Sequence, residues 1–317
     1  MLLKKRGDAL LPMLLESIAL LQSERMTVVL EPDVLERLKE LGEAEARAAG
    51  VDRGRIRSFD AADVEALIDW IDLVVCLGGD GVILHASSLF PQAVPPVACF
   101  NLGSMGFLAN LMFQDFREDM RTVIEGDKGM GGVNITLRMR LRCRILRRGK
   151  PLPGKTYDVL NEVVVDRGSD AFLAKVECYE RDKLITYVQA DGVMIATPTG
   201  STAYSVAAGG SMIHPSVPAI LFTPICPHSL SFRPVVLPDS AEIELRVPDD
   251  ARSSAWVSFD GKNREQLMHG DAVQVHMSRY PMPTVNKMDQ TEDWFTSLNR
   301  CLYWNERSMQ KRRDWDE

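Results

Sequence analysis

The sequence has no Cys-x-x-Cys pair and no histidine at zinc-ligand spacing, although it carries six cysteines. Most of those cysteines fall inside apolar runs, which predicts buried free thiols in a reducing compartment and argues against a disulfide scaffold or a metal centre. No apolar stretch is long enough to span a membrane. Basic excess is missing too: the formal charge is −7, which sets nucleic acid aside as the main partner. Neither Gly-x-x-x-x-Gly-Lys-Ser/Thr nor Gly-x-Gly-x-x-Gly occurs, so Walker-type loops and Rossmann-type dinucleotide turns lose their main support. No Ser/His/Asp or Cys/His set stands at a recognisable spacing, which leaves hydrolase chemistry unsupported. Lys4, Lys5 and Arg6 precede the apolar run from Ala9 to Leu15, but Asp8 and Glu16 interrupt it and no small-x-small site follows. The run therefore reads as a helix with Leu11, Leu14, Leu15, Ile18 and Leu21 on one face, not as a signal peptide. A cytoplasmic protein is expected.

What is present is ordinary in bulk: 45% hydrophobic and 26% charged over 317 residues, enough for two domains. The chain is organised around Ile71 to Leu84. Leu73 to Leu77 is apolar without a break, as in a strand buried inside a parallel sheet. Gly78, Gly79 and Gly81 follow at once and lead toward a helix around His85 to Phe90. Bare backbone N–H groups at such a turn suit an anion. The turn's one functional side chain is Asp80, a carboxylate that repels phosphate unless it handles a proton or a cation bridges the two. By itself the turn reads equally as a tight connection with Asp80 capping the helix. The sharper reading is phosphoryl transfer, with amides and Mg²⁺ holding the donor while Asp80 faces an acceptor hydroxyl.

Helix and strand signals alternate from Leu2 to about Ile124, the mark of an α/β layer. Strands are read at Leu2–Leu3, Thr27 to Leu30 and Val97 to Phe100, with helices from about Ala9 to Gln22 and over residues 34–50. On this pattern the chain begins at the end of a first strand, so a preceding segment is expected to be missing. After Gly126, Gly129, Gly131 and Gly132, residues Val133 to Ile145 alternate as one long strand with a wet face carrying Arg138, Arg140, Arg142 and Arg144. A solvated sheet or a subunit contact is favoured for that face over an anion site. A hairpin at Arg181 to Lys183 and strands to about Met277 predict an all-β part. Trp294, Phe295, Leu298, Cys301 and Leu302 then recur at helical spacing after a capping pair at Asp289 and Glu292, and this stripe is expected to pack on the α/β part. The domains are read as 1–126, the α/β domain; 127–288, the β domain; and 289–317, a C-terminal helix and tail returning to the first.

Three further stretches carry polar groups. Asn161-Glu162 enters a strand and is either a turn or a grip on ribose hydroxyls. Thr197 to Tyr204 surrounds Gly200 with more hydroxyls than a helix cap uses, which favours a nucleotide face. Pro224 to Pro234 is an irregular loop in which His228 and Arg233 read as structural.

In order along the chain, Gly78-Gly-Asp-Gly81, Asn101-Leu-Gly-x-x-Gly-Phe-Leu108, Asn161-Glu162-Val163 and Thr197-Pro-Thr-Gly-Ser-Thr-Ala-Tyr204 form a set, joined by Pro227-His-Ser-Leu-Ser-x-Arg-Pro234 and Ser258-Phe-Asp-Gly261. With them the chain resembles NAD kinases over roughly residues 71–304, in particular the cytosolic eukaryotic branch. The resemblance implies an α/β nucleotide-binding domain, an all-β domain and a C-terminal helix returning to the first domain. It implies NAD bound between the domains, ATP and Mg²⁺ or another divalent cation as cofactors, and a homo-oligomer, dimer or tetramer. Asp80 would be the proton acceptor, with Gly81 beside it and Gly78 and Gly79 in the phosphate loop. Asn161 and Glu162 would hold the adenosine ribose, Thr199, Thr202, Ala203 and Tyr204 would line the adenosine pocket, and Asp191 would face the nicotinamide half. No protein metal ligands are assigned. Val82 departs from the family's usual Thr. The reaction implied is phosphorylation of the 2′-hydroxyl of the adenosine ribose of NAD. A lipid kinase of the diacylglycerol or sphingoid type shares the glycine turn but wants an apolar channel, and a non-catalytic dinucleotide-binding regulator would not need Asp80.

Overall fold

An unbroken apolar strand needs cover on both faces, and the fold supplies it. A computed structural model of the chain describes residues 1–4, 10–59, 66, 68–103, 106–127, 129 and 132–306. The first part runs β1 (Leu2–Lys4), α1 (Leu11–Ser23), β2 (Val28–Leu30), α2 (Pro32–Glu40), α3 (Glu43–Ala48), β3 (Ile56–Ser58), β4 (Val74–Leu77), α4 (Asp80–Leu89), β5 (Val97–Asn101), β6 (Leu111–Met112), α5 (Phe116–Glu125) and β7 (Ile135–Arg138). Ala9 and Gly131, named above as a helix start and a break, lie outside the described residues, as do Ser104 and Met105 of the second glycine turn and the tail from 307 onward.

The second part runs β8 (Leu141–Arg147), β9 (Lys150–Val159), β10 (Glu162–Asp166), β11 (Ala174–Glu180), β12 (Lys183–Ala196), α6 (Tyr204–Ala207), β13 (Ala219–Pro227), β14 (Val235–Pro238), β15 (Ile243–Arg246), β16 (Ala255–Phe259), β17 (Lys262–Leu267) and β18 (Ala272–Met277). The chain closes with β19 (Met282–Val285) and α7 (Gln290–Leu302).

Among the described residues, the first sheet has the order β1-β4-β5-β19-β7, with β6 also on β5. Its strands are parallel except β7, which is antiparallel to β19. Val75, Leu77, Ala98 and Phe100 face α1 and α5, where Phe100 meets Phe116 edge-on at 4.7 Å. Val74, Cys76, Val97 and Cys99 face Ile83 and Ala86 of α4 and Phe90 just after it. The second sheet is antiparallel, in the order β17-β16-β10-β12-β11-β15-β18-β8-β9, with β13 and β14 branching from β12. Val163, Val176, Val193, Val257 and Val273 sit in its sealed core. The hairpin between β11 and β12 turns on Arg181 and Asp182, both at positive φ, as the sequence expected at that place.

The chain from Val133 to Ile145 is two strands, not the single expected one. It leaves the first sheet after Arg138 and enters the second at Leu141. The expected wet face holds only in its second half: Arg144 is exposed and Arg142 partly so, whereas Arg138 is 5% exposed and Arg140 fully buried. Arg140 donates from Nε to the Tyr280 carbonyl (2.8 Å), from Nη1 to those of Phe90 (2.8 Å) and Ser87 (3.1 Å), and from Nη2 to that of Gln92 (2.6 Å). Three of these oxygens lie at the open C-terminal end of α4, where carbonyls lack helical partners and the dipole is negative. Alternation in the sequence marks two faces; here the first half of the polar face, Arg138 and Arg140, is buried against other parts of the chain instead of meeting water.

The C-terminal helix returns to the first part of the chain. Asp289 accepts from the amides of Thr291 (2.8 Å) and Glu292 (2.9 Å), which starts α7. Asn110, just before β6, donates to Asp293 (3.2 Å) and accepts from Ser297 (3.4 Å), and Lys287 pairs with Asp119 of α5 at 2.6 Å. Leu298 is buried, but Phe295 and Leu302 of the expected apolar stripe are about two-fifths exposed. Much of the contact is polar.

Candidate active site

Gly78 to Gly81 join β4 to α4, and Gly79 occupies the cap position. Asp80 is therefore the first residue of the helix, and its side chain does not cap it. The carboxylate turns instead to the loop after β5, accepting from the Phe107 amide at 3.0 Å (Oδ2) and the Leu108 amide at 3.1 Å (Oδ1). Gly106 makes the approach possible, because a Cβ there would lie 2.1 Å from Asp80 Oδ1. Two glycine motifs well separated along the chain thus hold one carboxylate between them.

A second cluster forms around β10. Asp260, at the end of β16, accepts from the amides of Leu160 (2.8 Å), Asn161 (2.8 Å) and Glu162 (3.1 Å), fixing the entrance to that strand. Burial raises the Asp260 carboxyl, while those three amides oppose the shift. Glu162 is buried, and its carboxyl is pushed up to about 7, first by burial and then by the charge of Asp260, against the Tyr204 amide that favours the ionised form. Its Oε2 is sealed without a hydrogen-bond partner among the described residues. An orphaned acceptor of this kind fits a hydroxyl brought by a ligand.

The turn from Thr197 to Tyr204 packs directly on this cluster. A Cβ on Gly200 would lie 2.2 Å from the Asn161 carbonyl, and the Thr197 amide donates to that same carbonyl at 2.9 Å. Most of the turn's hydroxyls are spent internally: Ser201 on the Pro198 and Ile213 carbonyls, Thr202 on that of Thr199. Tyr204 is 43% exposed; its hydroxyl is raised by partial burial and by the nearby Asp166, Cys226, Asp191 and Glu162. Asp191 pairs with Arg167 at 2.7 Å. Arg233 donates to the carbonyls of its own loop, as the structural reading expected.

Sequence reasoning overlooked Arg138. Its Nε donates to Thr284 (3.0 Å) and Nη1 reaches the Thr199 hydroxyl at 3.4 Å; burial lowers its guanidinium, with Cys99, Asp80 and Asp293 opposing the shift in part. It ties the Thr199 turn to β19. Beside Gly79 and Gly81 opens a cleft of about 700 Å³ whose wall includes Lys4, Glu31, His85 and Lys262. Nothing local in the sequence pairs Glu31 with His85, which are 54 residues apart and hydrogen-bonded at 2.6 Å. Val82 lines this cleft and is 7% exposed, so the usual Thr hydroxyl is replaced by an apolar contact under α4.

Fold and site define a two-domain protein with a nucleotide-sized cleft at a glycine turn, a carboxylate clamped by two main-chain amides, and a second carboxylate pair at Glu162 and Asp260. Residues 2–128 match the family model described as the ATP-NAD kinase N-terminal domain, and residues 160–287 that of the ATP-NAD kinase C-terminal domain. The chain is 61% identical over 98% of its length to NAD kinase 2, chloroplastic, of Arabidopsis thaliana, and equally to the probable NAD kinase 2, chloroplastic, of Oryza sativa subsp. japonica. It spans 31% of the length of each. Among solved structures, yeast NADH kinase complexed with NADH superposes with a TM-score of 0.84 at 32% identity, covering 98% of this chain and 89% of that one. The chain belongs to the ATP-NAD kinase family. The cytoplasmic expectation is overturned, since both relatives at 61% identity are named as chloroplastic. Among the described residues no helix is long and apolar enough to cross a membrane.

Proposed function

We propose that the chain phosphorylates the 2′-hydroxyl of the adenosine ribose of NAD with ATP, giving NADP. The observation that carries this reading is the Asp80 carboxylate, locked by two main-chain amides between Gly79 and Gly81 of the cleft wall. The acceptor hydroxyl gives its proton to Asp80 as the new O–P bond forms. The bond from the transferred phosphorus to the leaving diphosphate breaks in the same displacement, releasing ADP. The amides at the start of α4 and the ammonium groups of Lys4 and Lys262 stabilise phosphate charge.

A divalent cation such as magnesium would come with the donor phosphates. The ion would be held mainly by phosphate oxygens and water and would neutralise charge on the donor phosphates. Glu162 and Asn161 hold the ribose, Thr199, Thr202, Ala203 and Tyr204 line the adenosine pocket, and Asp191 faces the nicotinamide. The polar character of this region argues against a lipid substrate. The reading also places the protein in a plastid, supported by the names of its relatives, and in a homo-oligomer, supported by exposed Leu184, Ile185 and Tyr187 on β12. The test is NADP formation from NAD and ATP by the purified chain. No product at any magnesium concentration would end the proposal.

A further inference from the structure

The wall of the 700 Å³ cleft carries groups of opposite chemistry. It forms where strand ends converge: Lys4 closes β1, Glu31 follows β2 and Gly79 follows β4. Ligands of open α/β sheets settle in such crevices. The amides of Gly79 and Gly81, with two lysines, suit phosphate. One helical turn beyond Gly81 on the same face of α4, His85 meets the carboxylate of Glu31.

Glu31 is built as an oriented acceptor. His85 Nε2 binds Oε1 at 2.6 Å, which fixes the carboxylate, and the side chain is 20% exposed. Oε2 makes no hydrogen bond among the described residues and is not sealed, so it faces accessible space. An ionised carboxylate accepts hydrogen bonds and donates none, and it repels phosphate. This part of the wall therefore takes the neutral, hydroxyl-bearing part of a nucleotide. In dinucleotide folds an acidic side chain beyond a strand end plays a comparable part on ribose.

We propose that Glu31, positioned by His85, accepts hydrogen bonds from the ribose hydroxyls of the phosphate donor and sets the preference for ribonucleotides. The proposal rests on the kinase reading for the identity of the donor. Its test uses the full chain with ATP, 2′-deoxy-ATP and 3′-deoxy-ATP at saturating NAD, and calorimetric titration of the same three nucleotides without NAD. A hydrogen bond to a charged group discriminates by about tenfold or more. The wild type is expected to favour ATP over at least one deoxy analogue by that factor in kcat/KM and in affinity. Glu31→Ala should raise KM for ATP about tenfold, bring the preference near unity, and leave KM for NAD unchanged. Glu31→Gln keeps the shape and guards against misfolding, and should lose part of the preference at an unchanged melting temperature. His85→Ala should loosen the preference and His85→Gln, which restores a donor to Oε1, should recover it. Equal use of ATP and both deoxy analogues by the wild type, or an intact preference in Glu31→Ala, would overturn the proposal. If NADP never forms the kinase reading fails separately, and calorimetry still decides Glu31.

Discussion

Asp80 and Glu162 are carboxylates at one candidate site, and the chain treats them in opposite ways. Asp80 has a main-chain amide on each oxygen; Glu162 keeps one oxygen sealed without a partner and is pushed up to about 7 by burial. A group held by amides on a rigid helix start is oriented for a task at fixed geometry. A group buried with an orphaned acceptor is incomplete until a ligand arrives. On the proposed function, the first serves the chemistry and the second the binding.

The largest effect should follow from Asp80→Asn, which keeps the size of the side chain but cannot accept the acceptor's proton. A positioned base is worth about 10²–10⁴ in rate, so kcat should fall by at least about two orders of magnitude, read from NADP production. The new side-chain amide nitrogen would then face one of the two N–H donors, and urea unfolding should show a loss of about 1 kcal/mol. Gly106→Ala comes next. It touches no substrate, but its Cβ would stand 2.1 Å from Asp80 Oδ1 and push the carboxylate aside. A displacement of that kind should cost about 10–100-fold in kcat with NAD affinity kept; an unchanged kcat would mean that the clamp is not needed.

Glu162→Ala should act on binding instead, weakening NAD by about 1–3 kcal/mol in calorimetry while the melting temperature holds or rises. The smallest effect is on stability against pH. The folded chain keeps the Glu162 proton up to about pH 7, whereas the unfolded chain releases it near 4.5. The folded state thus binds more protons between those values, and stability falls as pH rises through the window. Glu162→Gln should flatten that slope. A slope that persists unchanged would remove Glu162 as its source.

The sequence made Asp80, Asn161 and Glu162 visible because glycine turns and strand entrances are local. The buried β4 strand was visible for the same reason, as was the start of α7 at Asp289. What stayed hidden depends on distant partners. Met282–Val285 is a four-residue strand with a proline inside it, and it becomes a strand by pairing with β5 and β7. Arg138 and Arg140 alternate with apolar residues just as Arg142 and Arg144 do, so the pattern could not separate a buried face from a wet one. Glu31 meets His85 only after β2 and α4 have packed. The hydroxyls of Thr197 to Tyr204 read as a nucleotide face in the sequence, but most of them hold the turn together.

The division of labour between the two carboxylates is tested most directly by single-turnover NADP formation with NAD bound to saturation. Saturation removes any loss of affinity, so only the chemical step is read. The account predicts that Asp80→Asn loses at least about two orders of magnitude in this rate, while Glu162→Gln stays within about tenfold of the wild type. A wild-type rate in Asp80→Asn would contradict it.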